Sequence, residues 1–82
     1  MSVNVTISNY AFGPQTLTIP KGTQVVWTNE DSVDHTVTGD NGGPASGNIA
    51  NGSSYSYTFN QTGTFPYHCS IHPDMTGTVV VQ

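Results

Sequence analysis

The stretch Ser53–Asn60, SSYSYTFN, decides the fold. Tyr55, Tyr57 and Phe59 fall on one face of an extended chain, and Ser54, Ser56 and Thr58 fall on the other. Side chains alternate in this way only in a β-strand with one face packed and one wet. The same period of two recurs outward in both directions. VNVTISN sets Val3, Val5 and Ile7 on one face, and QTLTIP does so with Leu17 and Ile19. QVVWTN, HTVTG, GTFPYHC and TGTVVVQ follow. Gly13-Pro14, Pro20-Lys21-Gly22, Gly52 and Gly63 mark the turns between them. No window keeps a helical period. Seven or eight short strands at this spacing predict an all-β chain folded as a β-sandwich. Trp27, Tyr55, Tyr57 and Phe59 are the expected core. GDNGGPASGNIANG, from Gly39 to Gly52, is the irregular exception. It reads as a loop with at most one edge strand, either a plain surface loop or a cover over one pole of the sandwich.

The 82 residues make one domain, 1–82, with no repeat and no linker. A chain of this size buries only about 60% of the surface it exposes when unfolded, so a bound metal would add stability. Five acids stand against Lys21 alone, for a net charge of −4. Nucleic acid is excluded as a partner, because phosphate binding needs clustered Lys and Arg. No apolar run approaches the ~20 residues of a membrane span. Charged residues are 7% of the chain against a usual level of about 25%, so Asn, Thr, Ser, Gln and Gly must carry solubility. Frequent aromatic and β-branched residues argue against disorder. One cysteine makes no internal disulfide. No signal peptide precedes Ser2. Either the chain works in the cytoplasm, or Met1 heads the mature form of an exported domain. Sequons at Asn4, Asn51 and Asn60 are what chance delivers in a chain rich in Ser, Thr and Asn.

The chemistry is concentrated in FPYHCSIHPDMTG, Phe65 to Gly77. Cys69 ends one strand, Met75 precedes the next, and His72 lies on the loop between them. Thiolate, imidazole and thioether can therefore converge at one strand-to-strand connection. Such soft ligands select copper, above all Cu(I), over magnesium or calcium. A blue-copper centre takes two His and one Cys with a weak axial Met, so one His must come from elsewhere. His68 adjoins Cys69 on the same strand, and neighbouring strand residues point to opposite faces. His35, at the head of HTVTG, remains. The expected metal ligands are thus His35, Cys69, His72 and Met75. Taken singly, each has a plainer reading: a surface His, a buried small Cys, a core Met. Together they do not.

These residues resemble the small cupredoxins of the plastocyanin–amicyanin group. The likeness rests on the text from Tyr10-Ala11-Phe12 through VVWTN, on DHTVT around His35, on GTFPYHC, and on the Cys-x-x-His-x-x-Met spacing. The short loop with Pro73 after His72 is amicyanin-like. The resemblance implies a Greek-key sandwich of cupredoxin type. It also implies one copper ion per chain cycling between Cu(II) and Cu(I), and a one-electron carrier rather than an enzyme. The carrier would be a monomer, periplasmic or at the cell surface, meeting redox partner proteins transiently at the His72 edge. Ile71, Pro73, Phe12 and Pro44 are the expected apolar patch, and Glu30, Asp31, Asp34 and Asp74 its acidic rim. A copper-delivery module would use the same ligands, but a closed four-ligand site argues against fast release. A second, catalytic copper needs more histidines than His68 supplies. Three departures stand out. Thr36 replaces an Asn that ties the ligand loops in these families, and a hydroxyl makes only part of that link. Asp34 stands where Pro is common. Phe65 stands where many relatives have a Tyr, which removes a buried corner hydroxyl, and Tyr67 would need a different geometry to replace it.

Overall fold

The computed structural model describes residues 1–82. Eight strands are present: β1 (Ser2–Ser8), β2 (Ala11–Gly13), β3 (Thr16–Ile19), β4 (Thr23–Asn29), β5 (Thr38–Gly39), β6 (Ser54–Phe59), β7 (Gly63–His68) and β8 (Thr76–Val81). They form two four-stranded sheets, ordered β2-β1-β4-β6 and β3-β8-β7-β5. Each sheet is mixed. β1 runs parallel to β4 and β3 parallel to β8, while the remaining pairs are antiparallel. No helix interrupts the sandwich, and so no helix is long and apolar enough to cross a membrane.

Alternation sets the core. Thr23, Val25, Trp27 and Asn29 of β4 point inward, as do Val5 and Ile7 of β1 and Val79 and Val81 of β8. β-branched side chains suit these positions because they lose little rotamer freedom on a pleated surface. Trp27 is fully buried and Phe59 nearly so. Tyr55 and Tyr57 are only half-buried, because β6 is the edge of its sheet and lies at the rim of the core. The larger omission from the expected core is Tyr67. It is 1% exposed. Its hydroxyl accepts a hydrogen bond from the Trp27 indole N–H at 3.1 Å, which links β7 to β4 across the two sheets. Phe12 packs edge-on against the Tyr67 ring at 4.7 Å. Burial pushes the Tyr67 hydroxyl up to about 12, against the pull of the Trp27 bond. Phe65 thus costs the fold no inter-sheet hydroxyl bond, because Tyr67 supplies one. Gly77 is what makes this possible: directly opposite Tyr67 in the β7–β8 ladder, a Cβ there would run into the ring.

The segment from Gly39 to Gly52 covers the pole that carries the chemistry. Isolated bridges join His35 to Ile49, Thr38 to Ala45 and Asp40 to Gly42. Ile49 is buried, and the Ser46 hydroxyl accepts from the Val37 amide at 2.8 Å. Of HTVTG only Thr38–Gly39 is a regular strand; the backbone pairing of His35 is its isolated bridge to Ile49.

Candidate metal centre

Residues 69–75 form a loop closed by its own backbone. The Cys69 amide donates to the Met75 carbonyl at 3.0 Å, and the Met75 amide donates to the His72 carbonyl at 2.9 Å. Two short bonds inside seven residues fold the loop back on itself and bring Cys69 and His72 together. His35 arrives from the β4–β5 connection, which crosses from one sheet to the other. Its amide donates to the Ile49 carbonyl at 3.2 Å, and its carbonyl accepts from the Ile49 amide at 2.7 Å. The ring is fully buried.

The three donor atoms converge. His35 Nδ1 and His72 Nδ1 each lie 3.7 Å from Cys69 Sγ. All three atoms fall within 4.8 Å of one another. For metal–nitrogen bonds of ~2.0 Å and metal–sulfur bonds of ~2.3 Å, a nitrogen and a sulfur about 120° apart on one ion stand about 3.7 Å from each other. Two imidazoles and a thiolate are also the donor set that copper prefers. Residues and spacing therefore fit a single copper ion.

The surroundings prepare each donor. Asp31 Oδ2 sits 2.8 Å from His35 Nε2. A carboxylate only accepts, so Nε2 carries the proton and the Nδ1 lone pair faces the sulfur. This is the usual way an outer carboxylate fixes the tautomer of a ligating His. The Tyr10 amide above all holds the Asp31 carboxyl below its usual range; burial opposes this, and His35 and the Asn9 amide assist. Burial likewise opposes ionisation of Cys69. Hydrogen bonds to the thiolate, from the Thr36 amide at 3.4 Å first and from the His72 ring and amide, outweigh it, and the thiol falls from 9.0 to about 6. The thiolate is the species that binds metal.

Thr36 ties the ligand loops by a route the sequence did not disclose. Its hydroxyl accepts from the Ser70 amide at 2.7 Å and lies 3.0 Å from the Thr38 hydroxyl, which lies 3.0 Å from the Ser70 hydroxyl. Three hydroxyls share the link. His68 stays outside the centre: its ring turns away and its Nδ1 meets Asp40 Oδ1 at 2.6 Å. Met75 is 4% exposed at the end of the ligand loop.

Two parts of the expected docking surface are corrected. Phe12 and Pro44 are buried, Phe12 against Tyr67 and Pro44 within the covering loop, so neither joins the patch. Asp31 turns inward to His35 and leaves Glu30, Asp34 and Asp74 as the exposed acids of that rim. The exposed apolar groups at this pole are Ile71, Pro73 and Tyr10. Sequence reasoning missed both Asp31 and Tyr10 as parts of the centre. An acid four residues before a ligand His was the one available signal for Asp31. Nothing in the text marks Tyr10.

A family model described as a cupredoxin-like domain matches residues 1–81. The chain is 34% identical to amicyanin-alpha of Methylorubrum extorquens, over 99% of its own length and 72% of that protein's. It is 33% identical to amicyanin of Paracoccus denitrificans, over 99% of its length and 66% of that protein's. Among solved structures, a reduced Cu(I) form of an amicyanin variant superposes with a TM-score of 0.93 at 30% identity, covering 99% of this chain and 82% of that one. A purple cupredoxin from Nitrosopumilus maritimus superposes with a TM-score of 0.88 at 33% identity, covering 98% of this chain and 99% of that one. The fold, the convergent donors and these likenesses agree: the chain belongs to the cupredoxin family, whose cofactor is copper.

Proposed function

We infer that the protein is a one-electron carrier built on a single copper ion, with His35, Cys69, His72 and Met75 as its ligands. The observation that supports this best is the pair of 3.7 Å spacings from Cys69 Sγ to the two imidazole nitrogens. When bound, copper supplies the Cu(II)/Cu(I) couple. The chain's own residues supply the rest. Cys69 gives a thiolate already favoured by the Thr36 amide and by the His72 ring and amide. Asp31 fixes the His35 tautomer, the hydroxyl chain of Thr36, Thr38 and Ser70 joins the ligand loops, and the segment covering residues 39–52 keeps water from the buried side. A frame held from so many directions resists rearrangement, which suits a group that must change oxidation state without moving its ligands. Met75, closed onto the same loop, offers the thioether as the weak fourth donor.

His72 is the half-buried ligand, and Tyr10, Ile71 and Pro73 are exposed at the same pole. Electrons pass through its edge to redox proteins that dock briefly on this small apolar patch, as suits weak encounters. Glu30, Asp34 and Asp74 favour a partner of basic character. The protein acts as a monomer, outside the cytoplasm, in the periplasm or at the cell surface, and carries out no chemistry beyond electron transfer. Repeated voltammetric cycling of the copper-loaded protein tests the reading against copper delivery. A reversible one-electron wave that keeps its amplitude over repeated cycles beside a Cu(I) chelator is expected. Copper lost within a few cycles would mark a delivery module.

A further inference from the structure

The two histidines of the centre are held very differently. His35 is fully buried, bridged to Ile49 through its backbone, and anchored at Nε2 by Asp31. His72 is half-buried on a loop between exposed Ile71 and Pro73, and the one side-chain hydrogen bond of its ring runs to Cys69 Sγ. What does flank its ring is Tyr10. The Tyr10 ring stands edge-on to His72, with centroids 4.8 Å apart and planes at 87°, and edge-on to His35 at 5.4 Å and 88°. The two imidazoles are themselves 5.0 Å apart, so the three rings form one cluster.

The backbone at Tyr10 is unusual in a way that serves this contact. Asn9 and Tyr10 have φ of 53° and 59°, and they are the non-glycine residues of the chain in the left-handed region. A bulky residue adopts that conformation only when its surroundings enforce it. Asp31 enforces it. Its Oδ1 accepts from the Asn9 amide at 2.8 Å, and its Oδ2 accepts from the Tyr10 amide at 3.0 Å. The same Oδ2 accepts a hydrogen bond from His35 Nε2–H. Asp31 is fixed in turn: its amide donates to Asn29 Oδ1 at 2.9 Å, and its carbonyl accepts from Asn51 Nδ2 at 2.7 Å. One carboxylate thus orients His35 directly and His72 through the Tyr10 ring. Tyr10 is 53% exposed, so its own burial gains little. The Asp31 bonds hold the left-handed backbone, and the contacts with the two imidazoles are what this mostly exposed ring gains from it.

We propose that Tyr10 is a positioning residue, a bracket held by Asp31 that restrains the His72 imidazole and so sets how firmly that ligand stays in place. The proposal deepens the copper-centre reading, and its metal-free arm stands apart from it. Tyr10→Gly and Tyr10→Asn remove the ring while suiting the left-handed backbone, and Tyr10→Phe keeps the ring. In the metal-free chain, NMR relaxation of the His72 ring should show increased motion in the Gly and Asn variants. His35 should stay ordered, the melting temperature should be unchanged or higher in Tyr10→Gly, and Tyr10→Phe should match the parent. In copper-loaded, reduced protein, transfer of Cu(I) to bicinchoninate should speed up about three- to tenfold in the Gly and Asn variants, the range one aromatic contact converts to, and not in Tyr10→Phe. An unchanged His72 ring and unchanged copper transfer in both ring-less variants would overturn the proposal. So would a Tyr10→Phe variant that behaves like them. If the parent bound copper without a thiolate charge-transfer band, the copper reading would fail, and the ring-order comparison would still decide the bracket.

Discussion

At the scale of single residues, the centre works by fixing donors before metal arrives. Cys69 is the sharpest instance. Its thiol falls to about 6 because hydrogen bonds to the thiolate outweigh burial. Thiolate absorbance of the metal-free protein in the ultraviolet should therefore titrate with a midpoint near 6 rather than 9.0. The sign for stability follows from linkage. The folded value lies below the unfolded one, so this group favours the fold fully above 9.0, and that contribution fades as pH falls through about 6. Denaturation of metal-free protein followed at several pH values checks it, with Cys69→Ser as the variant that should lose this part of the slope. Thr36 carries the second residue-scale expectation. Thr36→Ala leaves the Ser70 amide without its acceptor, at a cost of about 1–3 kcal/mol, while Thr36→Ser restores most of it. Urea midpoints of the three proteins measure the difference. Much of this centre was legible in the text. Cys69 and His72 were marked by spacing, and His35 by exclusion of His68. The Asp31 and Tyr10 contributions were not, because one is a long-range side-chain contact and the other rests on a backbone conformation that no residue type signals.

At the scale of strands, the alternation in SSYSYTFN and its neighbours was enough to place the sandwich, since a period of two with β-branched residues has few other solutions. What alternation alone could not give is depth. It set Tyr55 and Tyr57 on the inward face correctly, but their strand is an edge, and they stop at half burial. It also gave no warning that Tyr67 would cross to Trp27, because that contact joins residues 40 apart in the chain. The residue that admits Tyr67 is Gly77, a position within the strand run TGTVVVQ that is kept empty of a side chain. Gly77→Ala would put a methyl group into the Tyr67 ring. Overpacking of this kind costs about 1–3 kcal/mol, and β7 would have to move away from β8 just below Cys69. A lowered melting temperature in Gly77→Ala, partly recovered by adding Tyr67→Phe, is expected; full tolerance of the methyl would show that the β7–β8 contact is looser than this geometry requires. The covering loop, Gly39 to Gly52, was readable only as irregular. Its order comes from backbone bridges to His35 and Thr38 and from buried Ile49, which a chain rich in Gly and Asn does not advertise.

At the scale of the molecule, a small sandwich gathers three donors from two connections at one pole, so copper binding and folding are coupled. A ligand that binds only the folded state stabilises it by on the order of 4 kcal/mol at a thousandfold excess over its dissociation constant. The copper-loaded protein should melt well above the metal-free form, and equal melting temperatures would mean that the centre forms independently of the fold. The most direct test of the whole account adds one equivalent of Cu(II) to the purified protein and records its visible absorption and electron paramagnetic resonance. An intense thiolate-to-copper band with narrow copper hyperfine splitting is expected, lost in Cys69→Ser and His35→Ala and kept in His68→Ala. A protein that stays colourless, or one bleached by His68→Ala but not by His35→Ala, would contradict it.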